Sequence, residues 1–387
     1  MTAPFQENVV SSAASQSPLW TKLTTSALLL GLVHAFVDAA SGFLIFRDLG
    51  PSGIAYPKIV LLVVLYNSLA FGGQVPAGWL ADRLGSYRGA AIFGALAGAT
   101  AIVLSPTWPV VGIVIVGIGN AFFHVGAGAL VLRASDDRAT ESGVFVGPGA
   151  LGLFLGIWAG AHHHWPVRGV IIAGLILSAP FMVRVARSVV PSKVELPAPR
   201  GGLVLLIIIC AACLLGSVTV RSLVGGTIAG TWRGVSTEVM AGLALAACGG
   251  KMIGGFFSDR LGWTTISVGA LVLSAPLITV LVGTPAGAVV GMLLFQMTMP
   301  VTLKAMHHVL PARPGLAFGI PCLALIIGAL PGLLGYGHLL RSWPLVAAMA
   351  AVSTLMIFGG LRLLVRVGGS GGPAAELGGR LRSPSGA

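Results

Sequence analysis

Apolar residues come in long runs along this chain, and polar residues fall almost only in the short gaps between them. Twelve runs read as helices: 19–46, 53–80, 88–104, 109–132, 142–160, 168–190, 202–226, 237–257, 264–282, 286–308, 315–339 and 344–365. At about 1.5 Å of rise per residue, each crosses about 30 Å of hydrocarbon, some with tilt. The stretch 191–201 is polar and Pro-rich, and it separates six runs from six. The pattern predicts an all-α integral membrane protein with twelve transmembrane helices in two pseudo-symmetric six-helix bundles, 19–190 and 202–366. The polar ends, 1–18 and 367–387, are expected to be disordered. Residues 1–18 have no basic stretch and no small-residue cleavage site, so no cleaved signal peptide is expected.

Composition sharpens this picture. The chain is 56% hydrophobic and 9% charged, with a mean hydropathy of +0.95, whereas a soluble protein is about a quarter charged. Such a chain needs a lipid bilayer around it. A net charge of +12 would suggest nucleic acid in a soluble protein. Here fifteen Lys and Arg residues fall in gaps on the side of the N-terminus and five on the other. That asymmetry sets orientation, places both termini in the cytoplasm, and leaves no role for nucleic acid. Cys210, Cys213, Cys248 and Cys322 all lie in apolar runs and read as small core residues. His162-His163-His164 reads as a solvated outer loop, and Asp136-Asp137, flanked by Arg133 and Arg138, as a salt-bridged inner one. No phosphate-binding loop and no clustered intramembrane acids are present, so neither a metal, a cofactor nor an enzymatic activity is expected.

One stretch occurs twice. Gly72-Gly73-Gln74 followed by Gly78-Trp79-Leu80-Ala81-Asp82-Arg83-Leu84-Gly85 returns as Gly249-Gly250-Lys251 followed by Gly255-Phe256-Phe257-Ser258-Asp259-Arg260-Leu261-Gly262, at a constant offset of 177 residues. Two related halves meeting at a central site suit a transporter. The glycines let helices approach closely. Asp82, at the membrane edge, can face the positive N-terminal end of a helix from the other half, with Arg83 or Arg88 to neutralise it.

The span count, the split and this duplication resemble the major facilitator superfamily. Gly78, Asp82, Arg83, Gly85 and Arg88 look like that family's signature between helices 2 and 3, and Gly255, Asp259, Arg260 and Gly262 like its weaker second copy. The resemblance implies gating by these loops rather than substrate contact. Gly143, Gly147, Pro148 and Gly152 in the fifth run are similar to a Gly-Pro pattern of the exporter branches, especially drug–proton antiporters. His34 with Asp38, Phe123-His124 and Val220-Arg221-Ser222 are similar to fosmidomycin-resistance-type permeases, although no acid follows His124 here.

Polar residues within the spans point to cargo and coupling ion. Asp38 is the acidic residue well inside a span, and His34 lies one turn before it on the same face. A buried carboxylate can load and release a proton near physiological pH, so Asp38 with His34 is the expected proton site. Alternatively, Asp38 is a structural partner of Arg221. Arg221 and Lys304, with Asn120, His124 and Gln296, are the candidate substrate contacts, while Lys251 is expected to snorkel to the inner face. The positive balance favours an anionic or neutral small-molecule substrate. The combined expectation is a monomeric secondary transporter of a bacterial cytoplasmic membrane, working by proton-coupled efflux. Proton-coupled uptake of an organic anion is the rival, and a non-transporting membrane sensor the third reading.

Overall fold

The structure, a computed structural model, describes residues 17–135, 137–162, 165–187 and 201–369. The expected tails before residue 17 and after residue 369, and nearly all of the linker at 191–201, lie outside these. Twelve helical spans follow in order: α1 (Ser17–Leu44), α2 (Tyr56–Leu84), α3 (Tyr87–Leu104), α4 (Pro109–Ala134), α5 (Thr140–Ala161), α6 (Trp165–Arg187), α7 (Gly201–Trp232), α8 (Thr237–Leu261), α9 (Trp263–Thr279), α10 (Pro285–Val309), α11 (Pro314–Leu333) and α12 (Trp343–Gly369). The described residues contain no strand. In hydrocarbon a backbone must satisfy its own polar groups, and an apolar helix does so. Eleven spans are long and apolar enough to cross a bilayer; α9, at 17 residues, is the short one.

Local chemistry sets the boundaries. Ser236 and Thr284 cap α8 and α10, their hydroxyls accepting from the amides of Val239 and Gly287 at 3.2 and 3.1 Å. The expected uniform spans are interrupted in places. A π-turn at Ile45–Leu49 ends α1, another at Ser68–Gly72 divides α2, and α10 breaks between Gln296 and Met299. In α2 the bend falls beside Gly72 and Gly73, where the helix is weakest. The duplicated acids correct the sequence reading in one respect. Asp82 and Asp259 sit in the last helical turns of α2 and α8, not in loops. Each helix then stops at a glycine with positive φ, Gly85 at 62° and Gly262 at 96°.

Two main apolar cores form, one centred on each half; the first takes in Met299, Leu303, Ala317, Phe318 and Cys322 of α10 and α11, and the second Ala139. In the first, α1 packs on α5 and α3 on α4; in the second, α7 packs on α11 and α12. The halves meet chiefly through α5 against α8 and α2 against α11. At the end away from Asp82 and Asp259, the first half is clamped internally. Arg168 of α6 is buried, pairs with Asp48, and donates to the Ile102 carbonyl, while Ser105 donates to Asp48.

Candidate transport site

Two carboxylate locks close one end of the interface. Asp82 accepts from the amides of Gly315 and Leu316, at 2.8 and 2.9 Å, at the N-terminus of α11. Asp259 accepts from the amides of Ala139 and Thr140, both at 2.8 Å, at the N-terminus of α5, and from the Thr140 hydroxyl at 2.5 Å. Each acid thus receives the free N–H groups and the positive end of a helix from the other half. An aromatic donor completes each lock: the Tyr87 hydroxyl on Asp82 at 3.0 Å and the Trp263 indole on Asp259 at 3.2 Å. Close backbone approach makes this possible. A Cβ on Gly78 would lie 2.5 Å from the Gly315 oxygen.

The motif arginines do not neutralise these acids, contrary to the sequence expectation. Arg83 lies over the Trp79 ring at 5.3 Å and Arg260 over the Phe256 ring at 3.8 Å, a matched i, i+4 pair in each copy. Arg88 is exposed. With two amides and an aromatic donor in place, each carboxylate has its charge satisfied without them.

Near the middle of α1 and α4, four of the expected residues come together. Asp38 lies 3.1 Å from His34 Nε2 and 3.8 Å from His124 Nε2, and it accepts from Asn120 Nδ2 at 3.0 Å. The two Nε2 atoms are 2.7 Å apart. His34 Nδ1 meets the Phe145 carbonyl at 3.0 Å and His124 Nδ1 the Asn120 carbonyl at 2.8 Å. A carbonyl only accepts, so both Nδ1 atoms carry hydrogen. Two neutral rings would then point bare Nε2 lone pairs at each other. With hydrogen on both Nδ1 atoms, the two Nε2 atoms are placed to share a proton beside the Asp38 carboxylate.

The fifth-run glycines build this site. Gly149 leaves the space that the His34 ring and Asp38 occupy: its Cβ would lie 2.5 Å from His34 Cε1 and 2.7 Å from Asp38 Oδ2. Gly152 packs on Ala35 of α1, Gly143 on Lys251 and Gly147 on Cys248. Pro148 lies inside α5, so the Gly-Pro pattern serves both the site and the contact between halves. Gly128, where the sequence lacks an acid after His124, lies under the Phe318 ring of α11. Phe318 in turn packs 6.5 Å from the His124 ring and 5.9 Å from Phe145, placing an aromatic plug from the second half against the cluster.

Arg221 and Lys304 lie apart from the cluster, whereas the Lys251 charge acts on Asp38 and His124. Arg221 is buried and donates to the hydroxyls of Thr298 and Thr302 and to the Ser217 carbonyl. No carboxylate pairs with it among the described residues, so the Asp38–Arg221 pairing is not formed. Lys304 reaches neither Arg221 nor Asp38. Its ammonium donates to the Leu132 carbonyl at 3.0 Å and Ser135 Oγ at 3.1 Å, across the interface at the C-terminal end of α4. Gln296 contacts Met292 Sδ at 3.6 Å. Lys251 does not snorkel; it donates to the Val146 carbonyl of α5 at 3.4 Å, one residue beyond the carbonyl that holds His34.

Sequence reasoning missed Gly149, Phe318, Thr302 and Glu141. Glu141 is buried in the first turn of α5 and paired with Arg138. Its place beside the Thr140 lock was readable only once α5 had a start. Gly149 was inside the quoted motif, but nothing in the spacing showed which side chains it faced.

No family model matches the chain, and no curated relative matches it significantly. Solved structures do. It is similar to a major facilitator superfamily transporter, FucP, in the outward conformation, with TM-score 0.60, 13% identity, and coverage of 88% of this chain and 98% of that one. A second structure, of the E. coli fucose:proton symporter, gives TM-score 0.56 at 12% identity, covering 88% and 98% of the two chains. The human organic anion transporter MFSD10 gives 0.59 at 14% identity, covering 91% and 100%. The pairing of α2 with α11 and α5 with α8, locked by two related acids, is therefore set in the fold of the major facilitator transporters.

Proposed function

We propose that this chain is a secondary active transporter that moves a small molecule by alternating access and is coupled to protons. The observation that carries the reading is the buried His34–His124–Asp38 cluster, whose two Nε2 atoms are placed to share one proton, in a fold whose halves are locked at one end. Loss of that proton would leave facing lone pairs and an unbalanced carboxylate in a low-dielectric interior. The cluster would then have to rearrange, and α5, which supplies both the Phe145 carbonyl and the Asp259 lock, would feel it. The positive-inside count supports a cytoplasmic locked end, which would make this a conformation closed to the cytoplasm. The reading is of a transporter rather than an enzyme.

The fifth-run resemblance to drug–proton antiporters favours export. A second reading, proton-coupled uptake of an organic anion, is favoured by the buried Arg221 guanidinium, which has no carboxylate partner among the described residues and can receive an anion. The likeness to a fucose:proton symporter and to an organic anion transporter suits it. Reconstituted vesicles with an imposed pH gradient test both. Accumulation of an organic anion down the proton gradient supports uptake, and movement against it supports antiport. Proton-independent movement in wild type, unchanged by Asp38→Asn, sinks the coupling.

A further inference from the structure

The atoms placed to share a proton between His34 and His124 are also a ligand set for a metal ion. We propose that His34 Nε2, His124 Nε2 and the Asp38 carboxylate form a binding site for one first-row divalent transition metal, of the class of Zn²⁺ or Co²⁺. The proposal uses the cluster described above but does not depend on its carrying protons in transport.

Three features support it. The first is the distances. His34, Asp38 and His124 each offer a ligand atom, and all three lie within 4.8 Å of one another. Tetrahedral bonds of about 2.0–2.1 Å set ligand–ligand edges of about 3.4 Å. The two nitrogens stand 2.7 Å apart, and Asp38 faces them with different oxygens, Oδ2 at 3.1 Å from His34 and Oδ1 at 3.8 Å from His124, all near that value. Opening the imidazole pair by a fraction of an ångström admits the ion.

The second is the outer shell. Imidazoles that bind metals donate their other N–H to a carbonyl or carboxylate, which fixes tautomer and ring orientation. Both rings here do so, to Phe145 and Asn120, from helices α5 and α4. The Asp38 carboxylate is likewise held by Asn120 Nδ2. When the metal displaces the proton shared by the two Nε2 atoms, the ligands take the form a metal needs, neutral imidazole nitrogen and ionised oxygen, with their supports unchanged.

The third is room. A Cβ at Gly149 would run into His34 Nε2 and Asp38 Oδ2, so glycine is what leaves these ligand atoms in place against α5. The Asp38 side chain is 18% exposed while both imidazoles are at or below 8%. A fourth ligand, water or a group on a substrate, can enter beside Asp38, as in sites of three protein ligands with one open position. Two nitrogens and one oxygen favour borderline metals over Mg²⁺ or Ca²⁺, which prefer all-oxygen sets.

The test is metal binding by the purified full chain in lipid nanodiscs, carrying no polyhistidine tag. Zn²⁺ binding is followed by equilibrium dialysis and Co²⁺ binding by its visible absorption. The expected result is about one equivalent and a four-coordinate Co²⁺ spectrum. His124→Ala and Asp38→Asn should abolish both signals, and Asn120→Ala should weaken affinity about 10–100-fold through the outer shell. Thermal melts of each variant report folding, and replacing the outer tract His162-His163-His164 by alanines should leave the stoichiometry unchanged. Absence of binding by wild type, or binding that survives His124→Ala in a folded variant, overturns the proposal. Metal binding without proton-driven transport would overturn the coupling reading alone, and proton-driven transport without metal binding this one alone.

Discussion

The Asp82 carboxylate sits 2.8 Å from the Gly315 amide, and Asp259 holds the Thr140 amide at the same distance in the other half. These are charge-assisted bonds from each half to the N-terminal end of a helix in the other, so either acid alone keeps one seam closed. Each such bond contributes about 1.5–3 kcal/mol. Asp82→Asn should keep the fold and loosen the α2–α11 seam, because a neutral amide answers the helix end less well. Labelling of a Leu316→Cys thiol from the locked end should rise several-fold in the Asp82→Asn background, and unchanged labelling would show that the seam is held by packing alone. The matching substitution Asp259→Asn should act on α5 in the same way.

Gly149 faces the cluster so closely that its smallest possible enlargement tests the site. Gly149→Ala should leave the spans intact and lower proton-driven transport at least tenfold, because the new methyl group must displace His34 or Asp38. Vesicle transport read beside a thermal melt separates loss of the site from loss of the fold. Transport at the wild-type rate would mean that the cluster plays no part.

Lys304 is expected to behave unlike a substrate contact. Its ammonium ties α10 to the end of α4 through Leu132 and Ser135. Lys304→Met should change the turnover rate and leave KM nearly unchanged. Arg221→Met should raise KM for an anionic substrate. A large KM change in Lys304→Met alone would return it to the binding site.

Arg168 and Asp48 are a buried pair within one half. Removing one partner strands the other charge and costs about 3–5 kcal/mol. Arg168→Met should lower the melting temperature strongly, and the double substitution with Asp48→Leu should recover part of it. A melting temperature unchanged in Arg168→Met would show the pair to be peripheral.

Much of this molecule was legible in the chain itself. Apolar run length gives the spans, since hydrocarbon thickness and helical rise leave little freedom. The offset of 177 residues gives two related halves, and the placement of Asp82 and Asp259 at span ends gives their meeting with helices of the opposite half. The i, i+4 spacing of His34 and Asp38 puts them on one face. Tertiary structure alone decided which residues from distant spans joined them. His124 lies 90 residues from His34 and became its partner through the packing of α1 on α4. Lys304, an intramembrane cation by position, was drawn to a helix end, and the motif arginines turned to aromatic rings. A span's composition reports the solvent around it, but a buried polar side chain takes its role from the nearest complementary group, and that neighbour is chosen by how the helices pack.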